Sequence, residues 1–501
     1  MTRARTAWPL IGLTALLGAA PAQAIEEVVI KLPLLETTFT VRVSELGSAD
    51  ALRRGNSDLA ELDRASGGSL GRQLQSLLRQ PLPLSLNKVT DQAVGTPMLE
   101  QAMLMLSSFG RIEGQPKDLS GEELRLALER ASANGQPTLL SLLQAIPGQT
   151  ASLDLAQVAR VVQRMVTQRR QAEQLVTSLP PAAPARTPSR SGPVERRSLA
   201  LAVSHRPQPL DLTVLQPQNG ANGRLVLISH GLWDGPSSFE GWGQILAGAG
   251  YTVVLPRHPG SDAKQQQAML SGQAPPPSHQ ELELRPLDLS AVMDAVDAGQ
   301  LQLGAAVDAK QVVVIGHSWG ATTALLLAGV QPSDRQEPRC ADVNDPGRNL
   351  SWALQCSWLQ GVGNDRLSDS RVIAVGAVSP PVSLLFSPGS AKTISGRVLL
   401  VSGSRDWVVP PDPEAIQPMR ANVVNGNRLV LAKGGDHFNL RPGGDASGGV
   451  LGPLLLSWTN ASFQAGAAVR PGPQAPNLLP PAGWGDAGLT LVDVSDRIAQ
   501  P

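Results

Sequence analysis

Aromatic side chains are scarce in this sequence. They make up 3% of 501 residues, and nine of the sixteen are Trp, with a single Tyr. That scarcity speaks against a surface of rings that would stack single-stranded nucleic-acid bases. Net charge is also missing: 42 basic residues face 42 acidic ones. No broad attraction to nucleic acid or to an anionic membrane is therefore expected. Cysteine is nearly absent. Two Cys exclude a disulfide-dense scaffold and any multi-Cys zinc or iron–sulfur site. Neither a metal nor an organic cofactor is expected. Beyond the N-terminus no apolar run reaches the length of a membrane span. Hydrophobic residues, at 42%, are present in the quantity a sizeable core needs, and 49 Gly with 42 Pro require many turns and some extended connectors. Length alone suggests about three domains at roughly 150 residues each.

The first segment reads as an address. Arg3 and Arg5 precede an apolar run from Trp8 to Ala20, which ends at Ala22-Gln23-Ala24. A basic start, a short apolar stretch and a small-x-small site describe a secretory signal peptide over residues 1–24. The mature chain is expected to be exported, periplasmic or secreted. No Cys follows the cleavage site to carry a lipid anchor. In an oxidising compartment Cys340 and Cys356 are expected to bridge.

Residues 25–178 read as a smaller, mainly helical N-terminal domain. Residues 25–43 alternate in places, as in Thr38–Val43, and suggest a short strand or hairpin, and Ser120 with Glu123 forms a capping-box pair ahead of a helix. Leu155, Val158, Val162, Met165 and Val166 form one apolar stripe, expected to pack against other helices. Residues 179–197 are Pro-rich and small-polar, an exposed connector. From 198 to 465 short β-branched runs alternate with helical stretches: Leu225–Ile228, Thr252–Leu255, Val312–Ile315, Val372–Val375, Val398–Val401 and Leu429–Leu431. Such runs suit strands buried on both faces, hence an α/β fold with a mostly parallel sheet flanked by helices. Residues 466–501, rich again in Pro and Gly, read as a loosely held tail.

Two stretches match G-x-S-x-G. The first, Gly67-Gly68-Ser69-Leu70-Gly71, has no strand before it and reads as a turn. The second, Gly316-His317-Ser318-Trp319-Gly320, follows the Val312–Ile315 strand and precedes an Ala/Leu-rich helix. Strand, sharp turn and helix are what a nucleophilic Ser on this motif requires. The hydroxyl needs a base, and in this architecture the acid and then the His follow the Ser in sequence. Of the six His only His437 lies after Ser318. Asp406, after the Val398–Val401 strand, is the expected acid, with Asp412 as substitute and Asp436 as a loop hydrogen-bonding group. The oxyanion needs two amides. Trp319 N–H supplies one, and Leu232 N–H in His230-Gly231-Leu232 the other, with Gly231 the alternative. His230 is expected to order its loop, and His258 to serve as a structural loop His. Residues 330–370, with Trp352, Trp358 and the Cys pair, are candidates to cap the pocket.

These residues resemble the α/β-hydrolase superfamily: Ser229-His230-Gly231, Gly316–Gly320, Asp406 and Gly435-Asp436-His437. Gly316–Thr322 and the His-Gly loop look most like the platelet-activating-factor acetylhydrolase and dienelactone-hydrolase branch. Over residues 25–465 the chain is similar to a bacterial family in which a helical domain of unknown function precedes such a hydrolase. Ala321 departs from the second Gly of many relatives. The resemblance implies hydrolysis of a small-molecule ester or a lipid by Ser318, His437 and Asp406 through an acyl-enzyme. The bulky Trp319 implies a narrowed acyl site. A peptidase, a thioesterase or a non-catalytic binding protein on the same scaffold are the alternatives.

Overall fold

The computed structural model describes residues 24–499, apart from 33–36, 84, 134, 185–191, 304–305, 364–366, 387–388, 421–425, 467–470 and 473–474. The signal-peptide expectation, but for Ala24, and the centre of the expected connector lie outside the described residues.

The β-branched runs form one nine-stranded sheet. Its strands are β5 (Val194–Leu201), β6 (Leu210–Pro217), β7 (Arg224–Ser229), β8 (Thr252–Pro256), β9 (Asp308–His317), β10 (Val372–Val378), β11 (Arg397–Gly403), β12 (Arg428–Ala432) and β13 (Leu491–Asp493). They lie in the order β13-β12-β11-β10-β9-β7-β8-β6-β5. The six strands from β12 to β8 run parallel, and β6, β5 and β13 are antiparallel additions at the two edges. Residues of β10 and β11 are buried on both faces, as a parallel sheet covered by helices demands. One apolar layer packs against each face. Strand order reverses at β7: β8 lies on one side of it and β9 on the other. Ligands of open α/β sheets bind where the carboxyl ends of the strands flank such a crevice. The segments 229–233 and 317–320 leave β7 and β9 there.

A smaller compact unit comprises residues up to 82 together with 110–117 and 127–153. It holds a second sheet, β2-β1-β4-β3, built from β1 (Glu27–Lys31), β2 (Thr38–Arg42), β3 (Gly110–Ile112) and β4 (Thr150–Asp154). Short helices add Leu46, Leu52, Leu59, Ala60 and Leu140 to its core. The expected strand or hairpin over 25–43 is the antiparallel pair β1–β2. The other pair, β3 and β4, three and five residues long, gives too little alternation to be seen in sequence.

The larger unit takes in residues 83–109 and 118–126 and everything from 154 onward. The compact units thus do not divide at the Pro-rich connector. The expected apolar stripe also differs. On the helix Leu155–Thr177, Val162, Met165 and Val166 are exposed, whereas Gln157 and Gln168 are buried. Side-chain hydrogen bonds set that rotation. Gln157 donates to Asn344 Oδ1 (3.2 Å) and Arg164 to the Asp345 carbonyl (2.7 Å).

The expected loose tail is likewise corrected. Residues 491–493 pair with β12, and Leu479, Trp484, Leu491, Val492, Val494 and Ile498 are buried in the two core layers. The connector meets this tail: Ala182 N donates to Leu491 O (2.8 Å), and Gly483 N to Ala183 O (2.9 Å). Pro and Gly suppressed the helical and strand patterns of the tail without preventing its apolar side chains from docking.

Candidate active site

The turn after β9 is strained in the way the motif requires. Ser318 has φ 53° and ψ −122°, a left-handed φ that a non-Gly residue adopts only when its surroundings impose it. The impositions are visible. Ser318 N donates to Val378 O of the neighbouring strand (2.8 Å). The turn is also too tight for side chains on either glycine. A Cβ on Gly316 would run into the Gly320 carbonyl, and one on Gly320 into the Ser229 carbonyl. The helix Trp319–Leu327 starts directly after Ser318, so Ser318 stands at the N-terminus of a helix. Among the described residues the Ser318 hydroxyl has no hydrogen-bond partner. The other motif match follows a helix rather than a strand, and Gly68 and Ser69 begin the helix Ser69–Leu78.

His437 and Asp406 come from the loops after β12 and β11. His437 Nδ1 and Asp406 Oδ2 are 2.9 Å apart, and both residues are buried. Asp406 Oδ1 accepts from the amides of Val408 (3.0 Å) and Val409 (2.8 Å). With its oxygens so occupied, the carboxylate fixes Nδ1 as the protonated nitrogen and leaves Nε2 as the basic one. The substitute acid, Asp412, is not part of this arrangement; it accepts from Gln417 Nε2 (3.0 Å). Asp436 plays the loop role expected of it, accepting from Phe438 N and Asn439 N at 2.8 Å each.

The residue before the nucleophile holds the imidazole loop. His317 Nε2 and the His437 carbonyl are 2.9 Å apart, and the two rings are 4.8 Å apart. Burial, followed by the proximity of His437, pushes the His317 pKa well below its ordinary value. The ring is thus neutral and donates from Nε2. The His437 loop is therefore tied to the residue that precedes Ser318. Sequence reasoning placed His317 inside the motif without giving it this role.

Gly231 packs against Ser318: a Cβ there would sit 3.3 Å from Ser318 Cβ. Trp233 takes φ 57° and its N–H donates to Ser261 O (2.8 Å). Among the described residues, the amides of Leu232 and Trp319 donate to no acceptor.

Behind this loop lies a buried polar network that the sequence did not reveal. His258 N donates to His230 Nε2 (3.0 Å), and Arg285 Nη2 donates to the His230 carbonyl. His258 Nδ1 meets Asp288 Oδ2 at 2.8 Å, and Ser229 Oγ meets His258 Nε2 at 3.0 Å. Ser229, His258 and Asp288 are all fully buried, so this second Ser-His-Asp string holds a loop rather than meeting a substrate. Asp288 also receives His205 (2.8 Å) and Arg206 (2.7 and 2.9 Å). Burial alone would raise its carboxyl, but the hydrogen bonds from His205, His258 and Arg206 hold it below the ordinary value. Burial, reinforced by Arg285, pushes His258 down to about 4 and His230 well below its ordinary value. Burial also pushes Arg285 down to about 9, against the pull of Glu281 and Asp288. The only advance signal was that His230 and His258 each follow a strand.

Arg285 lies over the Trp319 ring, 4.9 Å from its centroid, and Trp319 packs at 5.0 Å on Trp358. Residues 334–359 form the wall behind it. Cys340 and Cys356 are bridged there, among Trp352, Trp358 and Leu384. Glu414 ties this wall together, accepting from Asn349, Ser351, Gln355, Ser383 and the amides of Val382 and Ser383. On the other side of His437, Trp407 and Phe438 are half-exposed, with ring centroids 6.3 Å apart.

The family profile described as "Alpha/beta hydrolase family" matches residues 225–487, more than half of the sequence. The chain belongs to the α/β-hydrolase family. A second profile, "Alpha/beta hydrolase of unknown function", matches residues 24–154. Comparison with curated proteins gives no match. For a hydrolase of this family a small-molecule substrate follows. Among the described residues no helix is long and apolar enough to cross a membrane.

Proposed function

We propose that this hydrolase is an exported serine esterase of the acetylhydrolase and dienelactone-hydrolase type, cleaving carboxylic esters through Ser318, His437 and Asp406. The observation that carries the reading is the Asp406–His437 hydrogen bond, made by loops tied to the strained Ser318 turn. A catalytic hydrogen bond from the nucleophile is commonly absent until substrate binds.

In the proposed reaction Ser318 Oγ bonds to the ester carbonyl carbon while His437 Nε2 takes the hydroxyl proton. The carbonyl electron pair moves onto oxygen, which the Leu232 and Trp319 amides receive. Collapse breaks the bond to the leaving alcohol, and His437 returns the proton to it. Water then attacks the acyl-enzyme by the same steps and releases the acid and Ser318. Asp406 orients the imidazole and stabilises its cationic form. The buried Trp319–Trp358 pair beside Ser318 favours short acyl groups. The half-exposed Trp407 and Phe438 beside His437 favour an apolar leaving group.

The test is covalent labelling with a fluorophosphonate, together with p-nitrophenyl acetate turnover. Labelling of the wild-type protein and its loss in a folded Ser318→Ala variant are expected. Folded wild-type protein that neither labels nor turns over the ester would overturn the reading in favour of a binding protein.

A further inference from the structure

A cavity of about 770 Å³ lies in the larger unit, and none of Ser318, Asp406, His437, Leu232 or Trp319 lines it. Its volume falls within the range of roughly 300–1,000 Å³ usual for small-molecule sites. Among the described residues, the connection from β10 to β11 carries a short 3-10 turn, Ser390–Thr393, and no longer helix. The helix Leu155–Thr177 borders that space instead.

The two kinds of wall do not match. Leu325, Val330, Val382 and Leu400, all from the main core layer, make part of the lining apolar. The helix contributes Arg160, Gln163, Arg164, Thr167 and Gln168, while its apolar Val162, Met165 and Val166 are exposed to solvent. A helix ordinarily turns its apolar stripe toward a core. Here the polar stripe lines a cavity whose remaining wall mixes the apolar side chains with polar ones such as Gln336, Ser383 and Asn427, so the natural occupant is an amphiphile.

Charge selects its polar end. Among the described residues, three Arg but only one carboxylate, Asp412, line the cavity. Arg339 is neutralised by Asp345 at 2.7 Å. Arg164 Nη1 is held by main-chain carbonyls, and Arg160 donates from Nε to Gln157 Oε1 (2.8 Å) and makes a long ion pair through Nη2 with Asp154 (3.9 Å). Two guanidinium groups thus retain donors for an anion.

We propose that this cavity is a non-catalytic binding site for a single-chain fatty-acid anion, with the carboxylate at Arg160 and Arg164 and the chain along Leu325, Val330, Val382 and Leu400. The site is independent of the esterase reading, because no catalytic residue takes part.

The experiment is calorimetric titration of the full chain with sodium dodecanoate below its micellar concentration. It is repeated on protein whose Ser318 has been blocked by a fluorophosphonate, or on Ser318→Ala if the label does not react. One saturable site is expected, with the same affinity in free and blocked protein. Arg160→Gln with Gln163→Glu should weaken binding at least tenfold while p-nitrophenyl acetate turnover is unchanged. Dodecan-1-ol should bind at least tenfold more weakly than dodecanoate. Val330→Trp, which fills the gap, should abolish binding, with thermal melting as the check on folding. The proposal is overturned by absence of saturable binding to folded wild-type protein. Loss of binding on blocking Ser318, or affinity indifferent to the Arg160/Gln163 pair, overturns it equally.

Discussion

At the scale of single residues, this protein hides its titratable groups. His230, His258 and His317 are buried and neutral, with pKa values below the ordinary one; for His258 the value is about 4. In the unfolded chain all three titrate near 6.5. Between pH 6.5 and about 4 the unfolded chain therefore binds more protons than the folded one, and stability falls as pH falls. Each His removes up to about 1.4 kcal/mol per pH unit in that window. Urea denaturation at pH 7.5, 6.0 and 5.0 should show a steadily dropping midpoint. A midpoint unchanged down to pH 5 would mean that these rings are not kept neutral by the fold. The residues proposed as catalytic could be nominated from the sequence because chain order and elimination left one His after the Ser, and Asp406 and His437 do meet. The supporting set was not: Arg285 and Asp288 share the helix Glu281–Asp297, but Arg206, His230 and His258 come from separate segments and meet them only in space. An Arg in a helical stretch reads as solvated until burial shows otherwise.

At the scale of elements, the parallel strands were legible because burial on both faces writes continuous β-branched runs. The rotation of the helix Leu155–Thr177 was not, since side-chain hydrogen bonds to residues 344–346 decide it against the apolar stripe. The wall behind Trp319 is likewise held by polar contacts. Glu414 sits at the centre of bonds to the segments 349–355 and 382–383. Glu414→Ala would leave several buried donors unsatisfied, each costing about 1–3 kcal/mol. A loss of at least about 3 kcal/mol in urea denaturation is expected, with partial recovery in Glu414→Gln. A loss below about 1 kcal/mol would show that the wall stands without its carboxylate. The wall carries Trp358 against Trp319, so Glu414→Ala should also broaden the range of acyl chains hydrolysed.

At the scale of the whole molecule, covalent and edge closures matter most. The Cys340–Cys356 bridge closes a loop with a sequence separation of 16. A link over such a loop stabilises by about 3 kcal/mol in the chain-entropy model. Replacing both Cys by Ser should lower unfolding free energy by about that amount, read by denaturation under non-reducing conditions; an unchanged midpoint would assign the bridge no energetic role. The compact units were the least legible feature. Segments from before the connector are divided between both units, and sequence composition carries no sign of which partner a helix will choose.

The strand β13 covers the outer edge of β12 with three residues drawn from the far end of the sheet unit. A protease cut that freed residues 478–499 would bare the amides and carbonyls of β12 along with the pockets left by Trp484 and Leu491. Such an open rim is a template for strands of other molecules. A nicked protein would thus first announce its damage by clumping, before its chemistry failed.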